Sequence, residues 1–331
     1  MPASGEVWAC VSPGDRAGDI DQVDAIAWAL DPRCRRVDLA AEFARLQAAD
    51  ARPPRAIVGI GRKRIAMARA IRERSGGTTK LVHIGRDRGC LADLDCLITT
   101  PAFPAAPSPK VLTLDVALSD RIRRWSLDGA SAAADGLRAT LSRQGIGSPW
   151  INVFLGNPPA GDASAHAARA RILARQLDRL AAQCGSGLVI SGSPRTAPEL
   201  YEILAAELAC RHYLYRWVAG DPGNPFDGML SGSDRSVVTA DSVTMISQLV
   251  AAGHRVLVFP WRTRGRGAID RLRRIVMRGP ARRPKDLAAF SAALYARGMA
   301  APCDAPAGFD AVTPQPDIQD RLFQRVRDFL S

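Results

Sequence analysis

The sequence predicts an α/β protein made of two doubly wound halves, on the strength of three observations. Short β-branched runs alternate with longer Ala/Leu/Arg stretches of helical period, the pattern of parallel strands buried on both faces and joined by helices. The alternation stops in a Gly/Ser/Pro cluster at Gln144–Pro149 and then restarts. The length, 331 residues, is about twice that of one common domain.

In the first half, apolar runs predict strands at Val7–Ser12, Ala56–Ile60, Lys80–Ile84, Cys96–Thr99 and Val111–Leu114, with helices near Asp21–Leu30, Arg62–Arg74 and Ala132–Arg143. Prolines make Pro101–Pro109 a loop. Trp150–Leu155 opens the second series, continued by strands at Leu188–Ser191, His212–Arg216, Ser236–Thr239 and Arg255–Phe259. Its helices fall near Ala165–Ala182, Ala197–Ala206, Ser242–Ala252 and Ala268–Met277. The expected domains are therefore 1–147 and 148–315. A final amphipathic helix, within 316–331, would return to the first domain. Two such halves facing a cleft would bind ligands outside the carboxyl ends of their strands.

Composition narrows the function. With 47% hydrophobic and 24% charged residues the chain fills sizeable cores and is no disordered polymer. A net charge of +12 favours anionic partners: nucleotides, nucleic acid or acidic lipid. A nucleic-acid role would rest on that charge alone, since aromatics are 6% and no recognition motif appears, so no nucleic acid is expected. The seven cysteines are scattered and never form C-x-x-C, the usage of reduced cytosolic thiols. The N-terminus lacks a basic region followed by a long apolar one, so no signal peptide is expected. The longest uncharged stretch, Gln144–Gly161, carries three prolines and four glycines and would not span a membrane.

Four strand-to-helix loops could carry chemistry. In Ser12–Gln22, Gly14 and Gly18 allow close backbone approach beside Arg16, and Asp19 could act as a general base or simply cap the helix. Ile57–Arg64 begins like a dinucleotide fingerprint, but Arg64 stands at the third glycine position and no acid follows about 20 residues on, which disfavours a nicotinamide enzyme. Residues 52–74 hold eight basic side chains and one acidic one, suited to phosphate, to an anionic membrane surface or to plain solvation. Ser193, Arg195 and Thr196 follow a buried strand, where they could bind a diphosphate, or Thr196 could cap the next helix. Thr239, Asp241 and Ser242 open a helix whose amides could hold phosphate, with Gln248 further along it for a ribose hydroxyl; capping is the alternative for Asp241 and Ser242. The basic stretch Trp261–Arg274 adds Arg262, Arg264 and Arg266 as phosphate candidates. No histidine spacing, G-x-S-x-G or P-loop appears, and Asp93-Leu94-Asp95 matches a metal-binding D-x-D only by letters.

Taken together, Asn224–Gln248 (NPFDGMLSGSDRSVVTADSVTMISQ), Gly14–Gln22, Ile57–Arg64 (IVGIGRKR) and Ser191–Leu200 (SGSPRTAPEL) resemble the elongated-mitochondria, mitochondrial-fission-like family of plants and bacteria. That family looks like a divergent branch of the GT-B glycosyltransferases, similar to murein-precursor and lipid A disaccharide transferases. The resemblance implies two Rossmann-like domains, acceptor bound by the first and nucleotide sugar by the second, with no metal and no cofactor beyond the donor. Thr239, Asp241, Ser242, Met245 and Ser247 match its T-x-D-S-x-x-M-x-S core. Three positions depart from it: Gln248 stands for glutamate, Asp19 for histidine, and Pro194 for a second arginine. The function implied is an inverting transferase in the cytoplasm, at the inner face of the membrane, acting on an envelope lipid or polysaccharide acceptor. The alternative is a non-catalytic scaffold of the same fold at a membrane surface.

Overall fold

The computed structural model describes residues 5–48, 52–87, 89–125, 127–157, 163–261 and 285–330. In chain order the first elements are β1 (Val7–Cys10), α1 (Ala17–Leu30), β2 (Arg35–Val37), α2 (Leu39–Ala48), β3 (Ala56–Ile60), α3 (Arg62–Arg74), β4 (Lys80–Ile84), β5 (Cys96–Thr99), β6 (Val111–Thr113) and α4 (Asp120–Arg124). There follow α5 (Leu127–Arg143), β7 (Ile151–Phe154), α6 (Ala163–Cys184), β8 (Leu188–Ser191), α7 (Pro198–Glu207), β9 (His212–Tyr215), α8 (Phe226–Gly232), β10 (Arg235–Thr239), α9 (Val243–Ala251), β11 (Arg255–Phe259), α10 (Leu287–Ala296), β12 (Ala300–Pro302) and α11 (Ile318–Leu330). Arg262, Arg264 and Arg266, and the helix expected over Ala268–Met277, lie outside the described residues.

Two compact units share the chain. One takes the described residues of Met1–Arg123, Gly265–Phe290 and Asp317–Ser331; the other takes those of Arg124–Arg264 and Ser291–Pro316. Each holds a six-stranded sheet, ordered β2-β1-β3-β4-β5-β6 in the first and β12-β11-β10-β7-β8-β9 in the second. Every pairing is parallel. This is an α/β architecture of the GT-B-like kind. The strand order reverses between β1 and β3 in one sheet and between β7 and β10 in the other, and at such switch points the loops diverge and leave room for a ligand.

Burial on both faces explains the unbroken apolar strands. Trp8 and Cys10 of β1 join Ile57, Leu81 and Leu97 under α2 and α3, while Val7 and Ala9 on the alternate face are fully buried too. In the second unit Ile151 and Val153 of β7 pack with Leu173 and Leu177 of α6 and Leu200 and Leu204 of α7. Each such side chain contributes about 1.5–3 kcal/mol on leaving water.

The elements that sequence periodicity did not reveal have physical reasons to hide. Edge strand β2 carries Arg35 and Arg36 outward, where they pair with Glu6, Glu42 and Asp24 instead of forming an apolar run. At the other sheet's edge, β12 ends in Pro302, tolerated there because an edge strand need not donate every amide. Helix α10, LAAFSAALYA, is apolar all round and so shows no period. Short α8 lies so close to α5 that a Cβ on Gly228 would come within 2.6 Å of the Ala133 carbonyl oxygen. That packing places α5 in the second unit, ahead of the Gly/Ser/Pro cluster. Helix α11 lies on α1, with the Phe323 ring edge-on to Trp28 at 5.3 Å and Gln319 Nε2 donating to the Ser119 carbonyl at 2.8 Å.

A buried polar chain locks β7 to the elements around it. Trp150 Nε1 donates to Asn152 Oδ1 at 2.9 Å, and Asn152 Nδ2 donates to the carbonyls of Met229 at 2.9 Å and Ser233 at 3.1 Å. Ser236 Oγ bonds His254 Nδ1 at 2.8 Å, and His254 Nε2 donates to the Leu230 carbonyl at 2.9 Å. Because a carbonyl only accepts, Nε2 carries the proton and Nδ1 accepts from Ser236. Burial pushes the His254 pKa below its ordinary 6.5, keeping the imidazole neutral.

Candidate functional site

The loops around the second unit's switch point are tied to one another. Leaving β7, Gly156 donates its amide to Thr239 Oγ1 at 2.8 Å, at the end of β10. Thr239 Oγ1 donates in turn to Asp241 Oδ1 at 2.7 Å, and Asp241 Oδ2 accepts from the Asn157 amide at 3.1 Å. Trp261 Nε1, past the end of β11, also reaches Asp241, at 3.4 Å. On the other side of β7, Thr196 Oγ1 donates to the Leu155 carbonyl at 2.8 Å and accepts from the Ser193 amide at 2.8 Å. The ends of β7, β8 and β10 thus form one hydrogen-bonded ledge. Its backbone comes close enough that a Cβ on Gly156 would lie 2.0 Å from the Asp241 carboxylate.

The sequence candidates divide between building this ledge and facing outward. Ser193 and Thr196 spend their hydroxyls on the loop, bonding each other at 3.1 Å. Thr196 is not a cap, because α7 begins after Ala197 and has no side-chain cap. Arg195 is the outward group: its side chain is 53% exposed and its Nη2 lies 3.9 Å from Asp241 Oδ2, a long contact that leaves most of the guanidinium's donors available. Ser242 caps α9, accepting from the Met245 amide at 3.3 Å. Asp241 does not cap it; its carboxylate turns back to the β7 loop, and as an anion it would repel rather than hold a phosphate. Gln248 is only 8% exposed.

The first unit's switch point carries a charged cluster. Asp15 accepts from the Ser12 amide at 2.7 Å and forms an ion pair with Arg64 Nη2, while Arg64 Nη1 donates to the Ile60 carbonyl at 2.7 Å. The Arg64 side chain therefore fills the space that a dinucleotide fingerprint keeps open with its third glycine. Gly14 (φ +86°) and Gly61 (φ +96°) take conformations that glycine adopts freely, and nothing stands within 4 Å of where a Cβ on Gly14 would be.

Helix α1 starts at Ala17, earlier than its period indicates, and its N-cap is the exposed Arg16, without a side-chain hydrogen bond. Asp19 consequently sits inside the first turn instead of capping it. Burial lifts its carboxyl above the ordinary value of 3.8, an effect that Arg16, Arg64 and Lys285 oppose and Asp15 reinforces. Gly18 lies in the same turn, and its carbonyl accepts from Gln22 Nε2 at 3.0 Å.

Other candidates are internally matched. On α3, Arg69 pairs with Asp93 at 3.3 Å and Arg72 with Asp95 at 3.0 Å, so both aspartates of the D-x-D letters serve as counter-ions. Asp15, Gly156, Asn157 and Trp261 are site neighbours that sequence reasoning did not single out. Only Gly156 had a signal, a glycine directly after a buried strand.

Among solved structures, UDP-GlcNAc 2-epimerase from Methanocaldococcus jannaschii matches 97% of this chain and 98% of its own, at 11% identity and a TM-score of 0.51. MurG from Acinetobacter baumannii matches over 98% and 92%, at 13% identity and a TM-score of 0.47. The mitochondrial fission protein ELM1 of Arabidopsis thaliana is 28% identical over 226 residues, 62% of this chain and 51% of that protein, so the chain spans about half the length of the curated relative it matches. The family model "Mitochondrial fission ELM1" matches residues 17–316, a stretch that runs from the first turn holding Asp19 through the whole of the β7, β8 and β10 ledge. By that match the chain belongs to the mitochondrial fission ELM1 family.

Proposed function

We propose that the protein is a metal-independent, inverting glycosyltransferase of the GT-B type, moving a sugar from a nucleotide-sugar donor to an envelope lipid or polysaccharide acceptor. The observation that carries this is the ledge at the ends of β7, β8 and β10, rigid by its own hydrogen bonds and presenting the half-exposed Arg195. A cation beside a switch point suits a pyrophosphate, and it stabilises the charge that grows as the nucleoside diphosphate leaves. The dipole of α9 adds to it. Asp241 acts as a positioning residue, aligning Arg195 and the β7 loop.

In the first unit Asp19 serves as base. It takes the proton of the acceptor hydroxyl; the oxygen forms a bond to the anomeric carbon; the bond from that carbon to the diphosphate oxygen breaks, and its electron pair leaves with the nucleoside diphosphate. Burial raises the carboxyl's affinity for a proton, which improves a carboxylate as base. The base form is the deprotonated one, so turnover should fall as pH drops through a pKa above 3.8 and level off above it. A pH–rate profile checks this: Asp19→Asn should lose the acidic limb and about 10²-fold or more in kcat.

Arg195→Ala should weaken nucleotide-sugar binding about tenfold to a hundredfold by calorimetry, with Tm unchanged because the side chain is largely solvated. Failure of the wild-type protein to bind any UDP-, GDP-, ADP- or CMP-sugar would overturn the proposal. A second reading, a non-catalytic scaffold at an anionic membrane surface, is favoured by the burial of Gln248, which keeps it from a ribose. Against it, Arg64, Arg69 and Arg72 of α3 are already paired with acids, which leaves less basic surface for lipid. Among the described residues no helix is long and apolar enough to cross a membrane.

A further inference from the structure

Helix α1 carries Asp19 but does little to fix its own start. Its N-cap, Arg16, offers no side-chain hydrogen bond, and a first turn without a cap frays. What holds this end comes from outside the helix. Asp15, just ahead of the N-cap, accepts from the Ser12 amide at 2.7 Å and pairs with Arg64 Nη2, while the Asp15 amide closes the Gly14 turn on the Ser12 carbonyl at 3.1 Å. Arg64 Nη1 donates to the Ile60 carbonyl at 2.7 Å, so one guanidinium spans the loop after β1 and the end of β3. Ser12 Oγ donates to Asp38 Oδ2 at 2.8 Å, and Asp38 Oδ1 accepts from the Ala40 and Ala41 amides at 3.1 Å each, which brings in the end of β2. From Asp15 the chain runs straight into the first turn, where the Arg16 carbonyl accepts from the Asp19 amide at 2.9 Å and the Ile20 amide at 3.0 Å.

The Arg64–Asp15 pair differs from its neighbours on α3. Its side chains are 17% and 23% exposed, against 51% and 31% for Arg69 with Asp93. An exposed pair holds two side chains loosely and contributes little; a pair taken mostly out of water, with a further bond to a carbonyl, keeps one geometry. Arginine suits this use because its planar fork presents donors at fixed angles. Four charged groups act on the Asp19 carboxylate: Asp15 as a like charge, and Arg16, Arg64 and Lys285 as opposite ones. They come from the loop before α1, the first turn of α3, and the stretch before α10 that belongs to the same unit.

We propose that Arg64 is a positioning residue for the transfer reaction: through Asp15 it holds the first turn of α1, and so the carboxylate of Asp19, at one place beside the acceptor hydroxyl. This rests on the transferase reading given above. The same guanidinium balances the charge of Asp15, which without it sets a second, unpaired anion next to the base. Arg64 carries out no step of the reaction itself. The arginine at the third position of the fingerprint thus puts a support for the base where a dinucleotide site has its open glycine.

The test follows nucleoside diphosphate release from UDP-glucose, UDP-N-acetylglucosamine, GDP-mannose and ADP-glucose from acid to neutral pH, with water or an extracted envelope lipid fraction as acceptor. Arg64→Gln should lower kcat about tenfold to a hundredfold and leave KM for the donor unchanged, since it alters only the acceptor side. It should also move the acidic limb of the profile up, because Asp15 is left unbalanced beside Asp19. Asp15→Asn should move that limb down, as Arg64 then acts on Asp19 unopposed. The double variant should return the limb close to its wild-type place and keep kcat low: the charges balance again, but the clamp is gone. Arg64→Lys keeps the charge without the fork, so its limb stays and its kcat recovers only in part. A merely structural role would lower Tm and leave the limb unmoved. Asparagine at position 15 still accepts from the Ser12 amide, so Asp15→Asn keeps the test decisive if Arg64→Gln folds poorly. An unmoved limb in both single variants, with wild-type kcat in Arg64→Gln where it folds, overturns the positioning role and leaves the transferase reading standing. No binding or turnover of any of these donors by the wild type overturns both.

Discussion

Asn152→Ala is expected to lower the unfolding free energy by about 4 kcal/mol and the melting temperature of the second unit by about 10 °C. The side chain is fully buried and satisfies three groups at once: it accepts from Trp150 Nε1 and donates to the carbonyls of Met229 and Ser233. Alanine leaves all three buried and unpaired, and each such group costs about 1–3 kcal/mol. It also frees Ser236 Oγ, which lies 3.5 Å from Asn152 Nδ2 and begins the chain of bonds that runs on to His254. Differential scanning calorimetry reads the effect directly. The two units need not melt together, so the endotherm of the second should shift while that of the first stays. A shift below about 3 °C would mean that water enters and repairs the network.

How much of this was legible in the sequence follows from where each contact is made. Strands β3, β4, β5, β8 and β11 and helix α3 were readable to the residue, because their apolar or periodic runs end in Gly, Pro or charged residues. Edge strands β2 and β12 were not, since one face of pairing and half the burial are missing there. The loops bearing Thr239, Asp241, Ser242 and Ser193–Thr196 were visible as polar residues at strand-to-helix junctions. What those side chains do was not. Asp241 and Asn157 are 84 residues apart, and Arg64 and Asp15 are 49 apart, so no local pattern connects them. The aspartate that reads as a phosphate-side cap proves to be a bracket between loops, and the arginine that spoils a dinucleotide fingerprint proves to be Asp15's counter-ion.

That bracket predicts the second large effect. Gly156→Ala places a methyl group 2.0 Å from Asp241 Oδ2 and 2.1 Å from Oδ1, well inside contact distance, with the Gly156 amide held by Thr239 Oγ1. The backbone cannot retreat without breaking that bond, so the carboxylate must turn away and give up Thr239 Oγ1, the Asn157 amide and Trp261 Nε1. The expected cost is about 3 kcal/mol of stability, the sum of strain and of hydrogen bonds to a charged group. Arg195 loses its alignment at the same time, so nucleotide-sugar affinity should fall by more than tenfold although Gly156 itself has no side chain to touch a ligand. Asp241→Ala on the Gly156→Ala background separates the two effects. It removes the clash, so stability should recover part of the loss, while binding should stay weak because Arg195 still has no partner to align it. Recovery of full affinity in the double variant would show that Asp241 only occupies space, and the ledge would then owe its shape to Thr239 and Thr196 alone.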